Sequence, residues 1–251
     1  MTAPQTRLHG LDFLRSLMMS LGIVLHAAQM YLTMPIMDYY WDTARSPSMD
    51  ALLIWINTFR MPVFYLLSGF FTALLLDRRG QRYMIKNRFR RIAVPFFLFL
   101  PALAGIMTIL RIIAQHVMVT GEFGFDLNLI EDTRIFWDNT HNLWFLYYLM
   151  FHVATAWILL GVWGALPDFL RRGLSVMAQL RWAGFGAIVL YVCLGLAAIG
   201  SLSPAGRISA DLSFVPDVKV YFYFGLCFLL GWLSIGISTS CSPWRVAGKQ
   251  A

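Results

Sequence analysis

Asp12, Arg15 and His26 are three ionisable residues in the stretch GLDFLRSLMMSLGIVLHAAQMYL (10–32), which is otherwise apolar enough to cross a bilayer. At about 100° per residue, Arg15 and His26 return to within roughly 20° of one helix face, and Asp12 lies about 40° from His26. One stripe therefore carries all three, with Met19 and Gly22 between the arginine and the histidine. At about 1.5 Å per residue, His26 stands some 16 Å beyond Arg15 along the axis. A second apolar stretch, ALLIWINTFRMPVFYLLSGFFTALLL (51–76), carries Asn57 and Arg60 at about the depth of His26, with Ser68 and Gly69 nearer its other end. A mid-span arginine is costly unless it faces protein, water or an acid, so intramembrane ionisable residues point to a pathway or a reactive cavity. Arg60 and His26 are expected to face one such cavity.

Blander roles exist for several of these residues. Asp12 and Arg15 fit an interfacial ion pair or snorkelling anchors. A membrane histidine serves as readily in a helix–helix hydrogen bond as in chemistry. Ser68-Gly69 fits a close helix crossing, RFRR (88–91) a topology anchor, and LWFLYYLMF (143–151) an interfacial belt with core packing. Arg60 resists such a reading, because at its depth an arginine needs a specific partner.

The elements that must position these residues are membrane helices. Of 251 residues, 59% are hydrophobic and only 13% charged, with a mean hydropathy of +0.64. Six apolar runs, at about 11–32, 51–76, 92–118, 143–165, 183–202 and 219–239, each approach the roughly 20 residues that a spanning helix needs. The first run carries Arg15 and His26 and no clear cleavage site follows it, so it reads as a retained helix rather than a leader. The net charge of +7 comes from clusters between runs, not from a basic soluble surface, which argues against nucleic acid. Segment 77–91 holds seven Lys/Arg and one Asp, and 167–181 three Arg and one Asp. Segment 35–50 has three Asp and one Arg, and 120–142 five acidic residues and Arg134. The positive-inside rule then puts both basic connections and both chain ends in the cytoplasm. The expected fold is an all-α polytopic helix bundle with six spans, in a bacterial-type inner membrane.

Cys193, Cys227 and Cys241 have neither C-x-x-C spacing nor a disulfide pattern and read as packing residues. No His, Cys and carboxylate set stands at metal-ligand spacing. GFFTALLLDRRG (69–80) lacks the Lys-Ser/Thr of a phosphate loop.

Taken together, LDFLRSLMMSLGIVLH (11–26), FRMPVFYLLSGFF (59–71), NRFRRIAVPF (87–96) and LWFLYYL (143–149) resemble, in order, the motifs of the membrane acyltransferase-3 family. The first two look closest to its osmoregulated periplasmic glucan C-protein branch, assigned to glucan succinylation. The resemblance covers roughly 7–152. It implies one membrane domain over 1–251 that transfers an acyl group from cytoplasmic acyl-coenzyme A, succinyl or acetyl, to a hydroxyl of a periplasmic or cell-surface glycan. On this resemblance His26 is the catalytic base, or less favourably an acyl carrier. Arg15 and Asp12 order the cavity or the donor, and Arg60 meets an oxyanion or a donor carboxylate. Arg88 and Arg91, with Ser68 and Gly69, suit the coenzyme A end, and Asn57, His141, Asn142 and Trp144 the acceptor side.

Two departures stand out. The family's block has His directly before Leu-Trp-Phe-Leu, where this chain has Asn142, with His141 one position earlier. Family members also carry further helices, so the chain reads as a shortened member. That leaves a catalytically silent relative as a further reading, beside a small-anion carrier that uses the same polar cavity. Membrane lipid is the surrounding partner, and a homo-oligomer is left open.

Overall fold

The computed structural model describes residues 9–33, 42–126, 140–168 and 213–238. Among them every extended element is helical. Helix α1 spans His9–Ala28 and runs into a 3₁₀ turn, Gln29–Tyr31. Helix α2 covers Pro47–Arg88, a π turn Phe89–Ala93 follows, and α3 covers Val94–Thr120. A 3₁₀ turn at His141–Leu143 leads into α4, Trp144–Ala165, and α5 spans Val218–Ser238. Among the described residues four stretches are long and apolar enough to cross a membrane: His9–Tyr31, Pro47–Thr120, His141–Ala165 and Val218–Ile235. The second contains two of the expected apolar runs, 51–76 and 92–118, on either side of the basic segment. The expected run 183–202 and most of the connection 167–181 lie outside the described residues.

The long second stretch breaks where its composition demands. Gly80, within DRRGQR, has φ 77° and ψ 171°, a conformation that only glycine adopts without strain. A few residues later Pro95 has no N–H to offer the carbonyl of Arg91, and its ring needs that carbonyl moved aside. The chain responds by widening into the π turn, in which Val94 N–H bonds the carbonyl of Phe89. Gly121, left-handed at φ 76°, closes α3 with its N–H on the carbonyl of Val117.

Helices in lipid gain little from the hydrophobic effect and associate through close packing and polar links. The α2–α5 crossing shows both. A Cβ on Gly69 would collide with the backbone carbonyl of Phe228, and one on Gly231 with the carbonyl of Leu66. The missing side chains bring the two backbones together. Around this crossing Tyr65, Tyr148, Phe224, Cys227 and Trp232 form a buried aromatic core. Tyr65 stacks on Phe224 at 4.4 Å between ring centres and donates its hydroxyl to the carbonyl of Phe145 on α4 at 2.9 Å. His152 of α4 fits the same core, stacked on Tyr221 at 4.6 Å. Helix α3 joins through Phe96, stacked on Tyr147 of α4 at 5.8 Å, and leaves Phe97, Leu98 and Phe99 exposed.

Helix α1 docks on α2 separately, through Leu25, Leu32, Leu53 and Ile56. The connection between them is tied at both ends. Thr33 donates its N–H and hydroxyl to the carboxylate of Asp50 in the first turn of α2. The carbonyls of Met30 and Tyr31 accept from Asp42 N–H and Ser46 N–H at 2.8 and 3.0 Å.

Candidate functional site

A cleft runs along α1 on the side that faces the α2 and α4 aromatics. Its larger chamber, about 240 Å³, is lined by Arg15, Ser68, Arg88 and Arg91, with Phe71 and Pro95 among its apolar wall residues. No acidic residue among those described lines it. Arg88 is nine-tenths buried, its Nε has no hydrogen-bond partner among the described residues, and Arg15 and Arg91 both lie within electrostatic reach of it. Arg15 also lies over the ring of Phe71, 5.3 Å from its centre. Like charges gathered around one pocket repel, and an anion relieves the repulsion. The π turn helps to assemble the group: Arg88 ends α2, Arg91 lies within the widened turn, and both reach the same chamber.

The second chamber, about 90 Å³, adjoins the first and shares Met19, Phe64 and Phe145 with it. Phe64 and Phe145 meet edge to face at 5.5 Å. Beyond them stands Arg60. Its Nε–H donates to the carbonyl of Met18 on α1 at 3.2 Å, and its guanidinium lies flat against Gly22. A Cβ on Gly22 would stand 2.5 Å from Nη2 and 2.9 Å from Cζ, so the glycine makes the place the arginine occupies. This contact answers the requirement for a partner at Arg60's depth. One helical turn past Gly22, about 6 Å along the axis, comes His26. His26 lines neither chamber, so the cavity expected to take both Arg60 and His26 takes Arg60 alone; His26 is exposed, and its Nδ1 lies 3.1 Å from the side-chain oxygen of Gln29.

Arg15, Ser68, Arg88 and Arg91 thus come together in one chamber, and Arg60 lines the next. Gly69, one position and about 100° from Ser68, faces α5 instead. Asp12 is exposed, with no side-chain partner among the described residues. Asn57 is half-buried one turn before Arg60. His141 is buried, with a positive φ of 47° in the turn that opens α4, and Asn142 beside it is exposed. Trp144 packs on Phe224 at 5.8 Å and belongs to the core. Sequence reasoning missed Gly22, Phe64 and Phe145 as parts of the site. Gly22 lay between the polar residues on the first-helix stripe and was the one legible signal.

Comparison with known proteins bears on this cleft. A family model described as an acyltransferase domain, of the acyltransferase-3 type, matches residues 8–245. Among curated proteins, the glucans biosynthesis protein C of Escherichia coli strain SMS-3-5 is 26% identical over 198 residues, 77% of this chain and 48% of that protein. The proteins of the same name from E. coli O1:K1 and from E. coli O157:H7 strain EC4115 match with the same identity and coverage. The chain spans about half the length of the curated relatives it matches. No solved structure matches it. The match across nearly the whole length, over the helices that build the arginine-lined cleft, shows that the chain belongs to the acyltransferase-3 family of membrane proteins.

Proposed function

We propose that this protein is a membrane O-acyltransferase that moves a succinyl or acetyl group from cytoplasmic acyl-coenzyme A to a hydroxyl of an extracytoplasmic glycan. The observation that carries the reading is the pair of adjoining chambers. Three arginines line one, with no carboxylate among the described residues, and Arg60 of α2 lines the other, where it meets α1 one turn before His26. Arg88 and Arg91, at the end of the basic segment 77–91, bind the coenzyme A phosphates, with Arg15 and Ser68 deeper along the donor. The thioester arm reaches past Met19, Phe64 and Phe145. His26 takes the proton of the sugar hydroxyl as its oxygen bonds to the acyl carbon. Arg60 opposes the charge that develops on the carbonyl oxygen. The carbon–sulfur bond then breaks, the thiolate takes up the proton, and free coenzyme A and an O-acyl glycan leave. His141, Asn142 and Asn57 are assigned to the acceptor side.

In this reading the protein lies in the inner membrane with 77–91, 167–181 and both chain ends in the cytoplasm, which the distribution of Lys and Arg supports. The similarity to proteins named for glucan biosynthesis supports a glucan as acceptor. The test uses inside-out vesicles given labelled succinyl- or acetyl-coenzyme A, with a glucan enclosed. Label reaches the glucan with the native chain and fails to do so with His26→Ala at matched expression. No label with folded native protein refutes the reading. The arginine chambers also fit a small-anion carrier; anion flux that needs no thioester would favour that reading.

A further inference from the structure

The contact between His26 and Gln29 has a consequence for the chemistry of the imidazole. Helix α1 ends at Ala28, and the chain tightens there into the 3₁₀ turn Gln29–Tyr31. Residues three apart on a helix are surface neighbours, which sets the side chain of Gln29, the first residue past α1, beside that of His26. The amide oxygen of Gln29 lies 3.1 Å from Nδ1. An amide oxygen only accepts, so in this arrangement Nδ1 carries the hydrogen, and in the neutral imidazole Nε2 keeps its lone pair.

The turn is held from several sides. Leu25 and Leu32, which flank the pair, are 3% and 1% exposed against Leu53 and Ile56. The carbonyls of Met30 and Tyr31 are bonded by Asp42 and Ser46, and Thr33 by Asp50. The backbone that carries Gln29 is therefore fixed relative to α2, which also carries Arg60. His26 and Gln29 keep their polar atoms clear of this apolar anchor.

We propose that Gln29 is the positioning residue of the site: it holds His26 in the Nδ1–H tautomer and so presents Nε2 as the base. This rests on the acyl-transfer reading for its purpose. A base must have its lone pair aimed at the proton it takes, and the group bonded to the other ring nitrogen decides which nitrogen that is. A glutamine does this without a charge, so no second carboxylate has to be placed in the apolar span.

The experiment pairs ¹⁵N-histidine magnetic resonance in nanodiscs with the transfer assay, on the native chain, Gln29→Leu and Gln29→Glu. The His26 signals are assigned by their loss in His26→Gln, and the other four histidines report that the fold is intact. The native chain shows protonated Nδ1 and unprotonated Nε2. Gln29→Leu moves His26 toward the other tautomer and lowers kcat about tenfold, the rate equivalent of one net hydrogen bond, with KM for both substrates unchanged. Gln29→Glu, which still accepts from Nδ1–H, restores both. A native His26 protonated on Nε2, or a Gln29→Leu spectrum identical to the native one, overturns the proposal whatever the transfer assay shows. The expected spectra, combined with normal transfer by His26→Ala, overturn the parent reading and with it the purpose given to the contact.

Discussion

Adding one methyl group, Gly22→Ala, separates the chemistry of the cleft from its stability. The new Cβ would lie 2.5 Å from Nη2 of Arg60, 2.9 Å from Cζ and 3.3 Å from Nε. Ordinary contact begins near 3.5 Å, so the guanidinium must retreat by about 1 Å. The backbone has no reason to follow, because the colliding atoms are the end of a flexible side chain, and alanine is the better helix former by about 1 kcal/mol. The displaced guanidinium can move into the chamber it already lines, so the variant should fold and insert nearly as well as the native protein. What it loses is the bond from Arg60 Nε–H to the carbonyl of Met18 and the position that bond fixes. Displacing a transition-state donor by about 1 Å costs on the order of 10²-fold in rate. In vesicles with saturating acyl-coenzyme A and a glucan acceptor, kcat should fall about 10²-fold. Retention of coenzyme A should be unchanged, because Arg15, Arg88 and Arg91 line the other chamber. A Gly22→Ala protein within about threefold of native kcat would refute the assignment of Arg60 to the transition state.

The glycines at the other crossing behave in the opposite way. Gly69→Ala or Gly231→Ala drives a methyl into a backbone carbonyl, and overpacking of that kind costs about 1–3 kcal/mol, so both variants should melt earlier in detergent by a thermal assay. Arg88→Ala should raise KM for acyl-coenzyme A by more than Arg91→Ala, since Arg88 is buried in the arginine chamber and Arg91 is exposed; equal effects would contradict the chamber as the donor site. Met19→Ala widens the passage between the chambers and should raise the rate with longer acyl chains relative to acetyl, measured on a series of acyl-coenzyme A donors. Met19→Trp should close it.

Apolar length made the described helices legible. The runs at 11–32, 143–165 and 219–239 correspond to His9–Tyr31, His141–Ala165 and Val218–Ser238, because roughly 20 apolar residues in lipid have little choice but to form a helix. The need of Arg60 for a partner was equally legible, from cost alone. Its solution was not, because it depends on a side chain that is absent, that of Gly22. The π turn also escaped the pattern. Pro95 announces a disturbance, but the way the chain absorbs it depends on neighbours far away in sequence. Ser68 and Gly69 show the limit of motif reading: two adjacent residues on one helix face different neighbours, one the arginine chamber and the other α5. Phe64 and Phe145 lay in aromatic stretches where belt, core and site look alike, and only the meeting of α2 with α4 separates them.

The contact between Arg60 and α1 also bears on biosynthesis. A chain emerges from the ribosome N-terminus first, at about 5–20 residues per second, and a guanidinium released into lipid alone would be opposed by several kcal/mol. Met18 and Gly22, which receive Arg60, are both made before it, on the helix that inserts immediately ahead. The arginine therefore meets its acceptor as it enters the bilayer, without waiting for α4 or α5. The hairpin of α1 and α2 can partition into the membrane with Arg15, His26 and Arg60 already aboard, and the later helices then close around it.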